Sequence, residues 1–243
     1  MKWNREAAVE EHSFRSNPLQ ARFEGSPWHP PRVFCASLAD WLDDEVPIEW
    51  LAELLKLIHD TPNLDWLLLT KRPENWPRMI SALGQWPEAA EEHLIHWVDG
   101  WINGKPPANV WIGTSVENQE YADKRIPKLL KIPAKVRFLS CEPLLSSLNL
   151  IGADREDLRR ERCNDPKRRE PLKVGLGSGL IHQIIVGGES GGKRREMKLE
   201  WAQSLHDQCK AAGAAFFFKQ ISAFKSGCLD GVPADLLKQE FPK

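Results

Sequence analysis

An α/β chain with mostly parallel strands is the fold class this sequence predicts, and three observations predict it. Six short runs rich in apolar, β-branched or aromatic residues recur, at 32 to 37, 65 to 70, 109 to 115, 135 to 141, 181 to 187 and 214 to 219. Amphipathic helical patterns separate several of them, and a polar cluster follows nearly every run. Continuous runs such as Trp66-Leu67-Leu68-Leu69 and Ile184-Ile185-Val186 suit strands buried on both faces, as parallel sheets require. Repeated β-then-α units imply right-handed crossovers and a sheet covered by helices, either doubly wound or a barrel.

Taken in order, the first helical pattern covers residues 47 to 60, opening at Pro47 and placing Ile48, Leu51, Leu54, Leu55 and Ile58 on one stripe. Segment 119 to 131 aligns Tyr121, Ile126, Leu129 and Leu130, and segment 199 to 212 aligns Leu199, Trp201, Ala202 and Leu205 before Gly213 stops it. Two stretches interrupt the alternation. Residues 84 to 108 carry Trp86, Trp97, Trp101 and Pro106-Pro107. Residues 152 to 178 are charge-dense, with eight Lys or Arg and five Asp or Glu between Arg155 and Lys173, and read as an excursion between strands. The whole of 1–243 is expected to be one domain with these two insertions.

The length of 243 residues is enough for folding to bury roughly 70–75% of the unfolded surface. With 42% hydrophobic residues a real core is expected and disorder is excluded. Thirty-three Lys plus Arg nearly cancel 34 Asp plus Glu, so no whole-molecule basic field argues for nucleic acid, and any such partner needs a local patch. No apolar run approaches the ~20 residues of a membrane helix, which predicts a cytoplasmic protein without a membrane partner. Five cysteines without tight spacing, Cys35, Cys141, Cys163, Cys209 and Cys228, fit reduced thiols rather than a disulfide framework or zinc ribbon. No metal site is expected.

The chemistry gathers behind the strands. Thr70-Lys71-Arg72, Ser115-Val116-Glu117-Asn118, Ser140-Cys141-Glu142-Pro143, Gly187-Gly188-Glu189-Ser190 and Lys219-Gln220 each follow an apolar run. In parallel sheets and barrels the carboxyl edge is where loops converge on a site. A cavity lined by Lys71, Arg72, Ser115, Glu117, Asn118, Ser140, Glu142, Glu189, Ser190, Lys219 and Gln220 is therefore expected, its carboxylates and amines neutralising one another. Ordinary capping and turn roles are the competing reading of each cluster. The turn Gly187-Gly188-Glu189-Ser190-Gly191-Gly192 could present backbone N–H groups to an anion, although it matches neither a P-loop nor a dinucleotide fingerprint.

Other constellations are weaker. His93 and His96 lie three apart without neighbouring ligands in the sequence. Cys35 and Cys141 sit near strand ends without an identifiable base. Arg159, Arg160, Arg162, Lys167, Arg168 and Arg169 form the local patch that a nucleic-acid-binding alternative would use.

Six blocks carry a family resemblance: Arg32 to Ser37, Leu69-Thr-Lys-Arg-Pro73, Asn109 to Asn118, Arg137 to Leu145, Ile185 to Gly191 and Phe216-Phe-Phe-Lys-Gln220. In this order and spacing the chain resembles the phage-protein family named after phage gp thirty-seven and gp sixty-eight, an uncharacterised family similar to radical S-adenosylmethionine enzymes. The resemblance runs from Lys2 to about Gln220 and includes Asp207-Gln208-Cys209. It implies a partial (β/α) barrel whose first strand is followed by a three-cysteine loop holding a [4Fe–4S] cluster. The open iron of that cluster chelates S-adenosylmethionine, and an electron from it generates a 5′-deoxyadenosyl radical.

The chain departs from that pattern at its start. Met1 to Ala7 resembles family sequence lying after the cysteine loop, and no two cysteines here are three or four residues apart. The resemblance thus implies a barrel lacking its first strand and inactive as it stands: truncated or begun at the wrong start, completed by a second chain, or a degenerate member that has lost radical chemistry. With the loop restored, radical S-adenosylmethionine chemistry is expected on an unknown substrate; without it, neither cofactor is.

Overall fold

The computed structural model describes residues 30–35, 39–83, 92–151 and 176–242. The expected α/β class is present as β1 (Arg32–Cys35), α1 (Ile48–Asp60), β2 (Asp65–Thr70), α2 (Trp76–Leu83), α3 (Glu92–Ile102), β3 (Val110–Ser115), α4 (Gln119–Leu129), β4 (Val136–Cys141), β5 (Gln183–Gly187), α5 (Leu199–Ala212) and β6 (Ala215–Gln220). All neighbouring strands are parallel and the sheet order is the chain order, β1 to β6. A doubly wound sheet reverses its order at a switch point. This sheet does not, and it curls into a half-barrel flanked by helices.

Every strand coincides with one of the apolar runs to within two residues at each end. The helices α1, α4 and α5 arise where the 3.6-residue stripes lie. Leu51, Leu54, Leu55 and Ile58 of α1 are buried, Asn118 caps α4 by accepting a 3.1 Å hydrogen bond from the Tyr121 N–H, and Gly213 ends α5 at φ 71°.

The stretch 84 to 108 is not structureless between its strands. Within it α3 buries Leu94, Val98 and Trp101, and just before it α2 buries Trp76, Met79, Ile80 and Leu83. Together they form the β2-to-β3 crossover. The abundant tryptophans meet there: Trp76 lies 4.6 Å from Trp101 and 6.0 Å from Trp41 between ring centroids, and Trp97 lies 5.6 Å from Trp101. Residues 152–175, including Arg159, Arg160, Arg162, Lys167, Arg168 and Arg169, lie outside the described residues.

Alternation along each strand divides two layers. Outward side chains such as Leu68, Ile112, Leu139, Ile184 and Phe216 join the large core beneath the helices. Inward side chains Leu67, Trp111, Phe138 and Ile185 make a smaller cluster with Leu69, Val136 and Phe217. Phe138 packs against β3, where a Cβ on Gly113 would stand 2.3 Å from its ring. Glycine is the residue that lets the aromatic fill the hollow.

The amino end of this inner layer is closed by the C-terminal tail. The Phe218 N–H donates to the Lys238 carbonyl at 2.8 Å and the Glu240 N–H to the Phe216 carbonyl at 3.0 Å, so the tail covers the β6 edge. Phe241 then packs 5.5 Å from Phe217 and 6.5 Å from Trp111, with the Arg32 guanidinium 3.8 Å over its ring. No helix among the described residues is long and apolar enough to cross a membrane.

Candidate functional site

A parallel strand leaves its last side chains at the carboxyl edge, and five strand tails in consecutive order bring distant residues together there. Ser115 of β3 stands directly opposite Ser140 of β4 in the register. Both are buried, at 1% and 2% exposure, yet both border a cleft of about 700 Å³. A hydroxyl at the edge of a polar hollow can be met by water or by a ligand.

Around these two hydroxyls the charged groups form pairs. Glu142, after β4, accepts from Lys219 of β6 at 2.8 Å. Arg72, after β2, donates to Asp43, and the Lys71 N–H donates to Asp40 at 2.7 Å. Glu189, after β5, takes three hydrogen bonds from Arg195, at 2.8 Å from its N–H and 2.9 Å from each of two guanidinium nitrogens. Those side-chain bonds first, and the backbone bond second, hold the Glu189 carboxyl down at about 2. A half-exposed pair such as Lys219 with Glu142 contributes about 0–1 kcal/mol to stability. It can open for a ligand at little cost.

Of the expected lining, Lys71, Arg72, Ser115, Ser140, Glu142, Glu189, Ser190, Lys219 and Gln220 border the cleft. Glu117 and Asn118 do not. Glu117 turns away, 8% exposed, to accept from Arg125 at 2.8 Å, while its other oxygen lies 3.5 Å from the Lys71 ammonium. Arg125 also donates to the Ser115 carbonyl at 2.9 Å, so this buried pair braces the end of β3. Asn118 is spent on capping α4. Gln220 borders the cleft with its amide largely engaged, donating to the Gly188 carbonyl at 2.8 Å and accepting from Ser226 and the Gly227 N–H.

Two backbone N–H groups of the glycine-rich turn are engaged within the protein. The Gly188 N–H donates to the Gln220 carbonyl at 2.9 Å and the Gly191 N–H to the Ala223 carbonyl at 3.1 Å. Gly188 also serves packing: a Cβ on it would meet the Ser222 nitrogen at 2.2 Å.

Asp40 and Asp43 also line the cleft and escaped the sequence reading. They follow β1 as Ala39-Asp40-Trp41-Leu42-Asp43, so the rule that found the other five tails would have found them had it been applied to the first run.

Thiols do not gather here. Cys35, Cys141 and Cys209 are buried and Cys228 is half-buried. Cys163 lies outside the described residues. Burial pushes the Cys141 thiol far up, with Cys209 and Glu117 adding to the shift, and pushes Cys209 up to about 12. Neither is a ready thiolate.

No curated protein and no solved structure matches the chain. A family model does match it, over residues 2–235, and so takes in every strand of the half-barrel and the whole of the cleft. The chain belongs to the family described as "Protein of unknown function (DUF5131)".

Proposed function

We propose that the carboxyl-edge cleft binds S-adenosylmethionine or a ligand of the same chemistry, a nucleoside carrying an amino acid, in a phage or prophage protein related to radical S-adenosylmethionine enzymes. The observation that carries this reading is the convergence of consecutive strand tails on one cleft, with the facing serines Ser115 and Ser140 in its lining. Ribose hydroxyls suit those serines. A carboxylate suits Arg72 and Lys71, an amino or sulfonium group suits Glu142 or Asp43, and the aromatic edge of Phe34 suits a base.

A [4Fe–4S] cluster does not fit the described residues. It needs three thiolates on one loop, and the described cysteines are scattered over β1, β4, α5 and the segment after β6, three of them buried. No radical step is therefore assigned to this chain, and the proposal is one of binding.

The test is calorimetric titration of the full chain with S-adenosylmethionine, S-adenosylhomocysteine, adenosine and methionine, together with thermal melts. Ligand at a hundred times its Kd stabilises by about 2.7 kcal/mol, which for a chain of this size raises Tm by roughly 5–10 °C. The reading predicts such a rise with S-adenosylmethionine, smaller rises with its fragments, and loss of binding in a Ser115→Val, Ser140→Val double variant that still folds. Absence of binding by any of the four compounds refutes it.

A further inference from the structure

On the outer face, away from the cleft, we infer that His59, Asp60 and His93 form a binding site for a divalent transition-metal ion of the zinc class, joining α1 to α3. One ligand atom from each of the three residues lies within 4.8 Å of the other two. His59 and Asp60 end α1, while His93 stands in the first turn of α3. The two imidazole rings face each other with centroids 5.1 Å apart and planes at 42°. Nδ1 of His59 is 3.2 Å from Oδ1 of Asp60, and Oδ2 of Asp60 receives the Lys56 ammonium at 2.9 Å. Asp60 can thus give Oδ1 to an ion while Lys56 keeps the other oxygen and fixes the carboxylate's orientation, the kind of outer contact that metal ligands ordinarily have.

The distances decide that the site is within reach. Zinc bonds of about 2.0–2.1 Å in a tetrahedron set neighbouring ligand atoms about 3.3 Å apart. Closing from 4.8 Å therefore asks for movements of under about 1.5 Å, shared among three side chains. His59 is half-buried, and Asp60 and His93 are exposed. Trp97 lies edge-on to His59 at 5.6 Å and 84°, which limits how far that ring can stray.

Two imidazoles and one carboxylate are borderline donors that favour zinc, cobalt, nickel or copper, whereas magnesium and calcium take all-oxygen shells. Three protein ligands leave a fourth position for water. His96, the neighbour that sequence spacing pairs with His93, is not in the group. The partner for His93 comes from a different helix, and only the packing of α1 against α3 reveals it. Bound metal would tie together two of the helices that enclose an apolar hollow of about 310 Å³ lined by Leu55, Leu94 and Val98.

The test uses the full chain in reducing, chelator-free buffer. Cobalt(II) is titrated in while the visible absorption of a tetrahedral complex is followed, and zinc is then used to displace it. The inference predicts saturable one-site binding, displacement by zinc but not by magnesium, and affinity about tenfold or more lower in His59→Ala and in His93→Ala. His96→Ala should bind like the unaltered chain. Zinc should also raise the melting temperature of the unaltered chain and leave that of a His59→Ala, His93→Ala variant unmoved. If both single variants bind cobalt as the parent does, or if magnesium displaces it equally well, the inference is wrong.

Discussion

The two ends of the half-barrel are built from the same six strands and have opposite characters. At the amino end the inner layer is stoppered: Phe241 and Arg32 stack against Trp111 and Phe217, and Gln183 holds the tail by donating to the Glu240 carbonyl at 2.7 Å. At the carboxyl end the layer stops at Ser115 and Ser140 and a polar cleft opens above them. The amino end packs its side chains on one another, with Arg32 Nε and Gln183 Oε1 buried there without a hydrogen-bond partner among the described residues. The carboxyl end holds half-exposed ion pairs, so it gives up little stability when a ligand displaces them.

That contrast can be broken most severely in the layer between the two ends. Phe138 is fully buried against Gly113, and Phe138→Ala should cost about 3–5 kcal/mol, a fall in Tm of roughly 6–20 °C on heating. Ligand binding should fall with it, because the floor of the cleft goes. At the amino end alone Phe241→Ala removes a partly exposed ring and its guanidinium contact, and should cost about 1–2 kcal/mol in a urea titration while leaving ligand affinity unchanged. At the carboxyl end the order reverses. Glu142→Gln or Lys219→Met should change stability by under about 1 kcal/mol, yet weaken ligand binding about tenfold by calorimetry.

The smallest effect is in acid. The Glu189 carboxyl lies at about 2 against an ordinary 4.5, so the unfolded chain takes up its proton first. The contribution of that carboxyl to stability is complete above pH 4.5 and fades as the pH falls from there through 2. Arg195→Gln should therefore shift the urea midpoint near pH 6 and leave it nearly unshifted near pH 2, each against the unaltered chain.

The strands were legible because a strand buried on both faces must be apolar throughout, and Trp66 to Leu69 or Ile184 to Val186 admit little else. The long helices were legible by period. The short helix α2 was not, since Pro77 in its first turn and its length of eight residues weaken the stripe formed by Trp76, Met79, Ile80 and Leu83. The stripe of α3 was hidden among tryptophans ahead of Pro106-Pro107. Knowing that parallel strands end at one edge was enough to bring Lys71, Ser115, Ser140, Glu142 and Lys219 to one cleft. It was not enough to separate them from Glu117 and Asn118, because turning inward to Arg125 or capping a helix depends on neighbours along α4 rather than on position after a strand. Phe241 and its stacking on Arg32 join the two extremes of the described chain, and no local pattern encodes that.

Amide hydrogen exchange of the full chain with and without S-adenosylmethionine tests the central claim most directly, since it reports both ends of the half-barrel in one measurement. The account predicts new protection at residues 70–72, 115–117, 140–143, 188–190 and 219–220, with none at residues 238–242. Protection absent from the strand tails, or confined to the stoppered end, would contradict it.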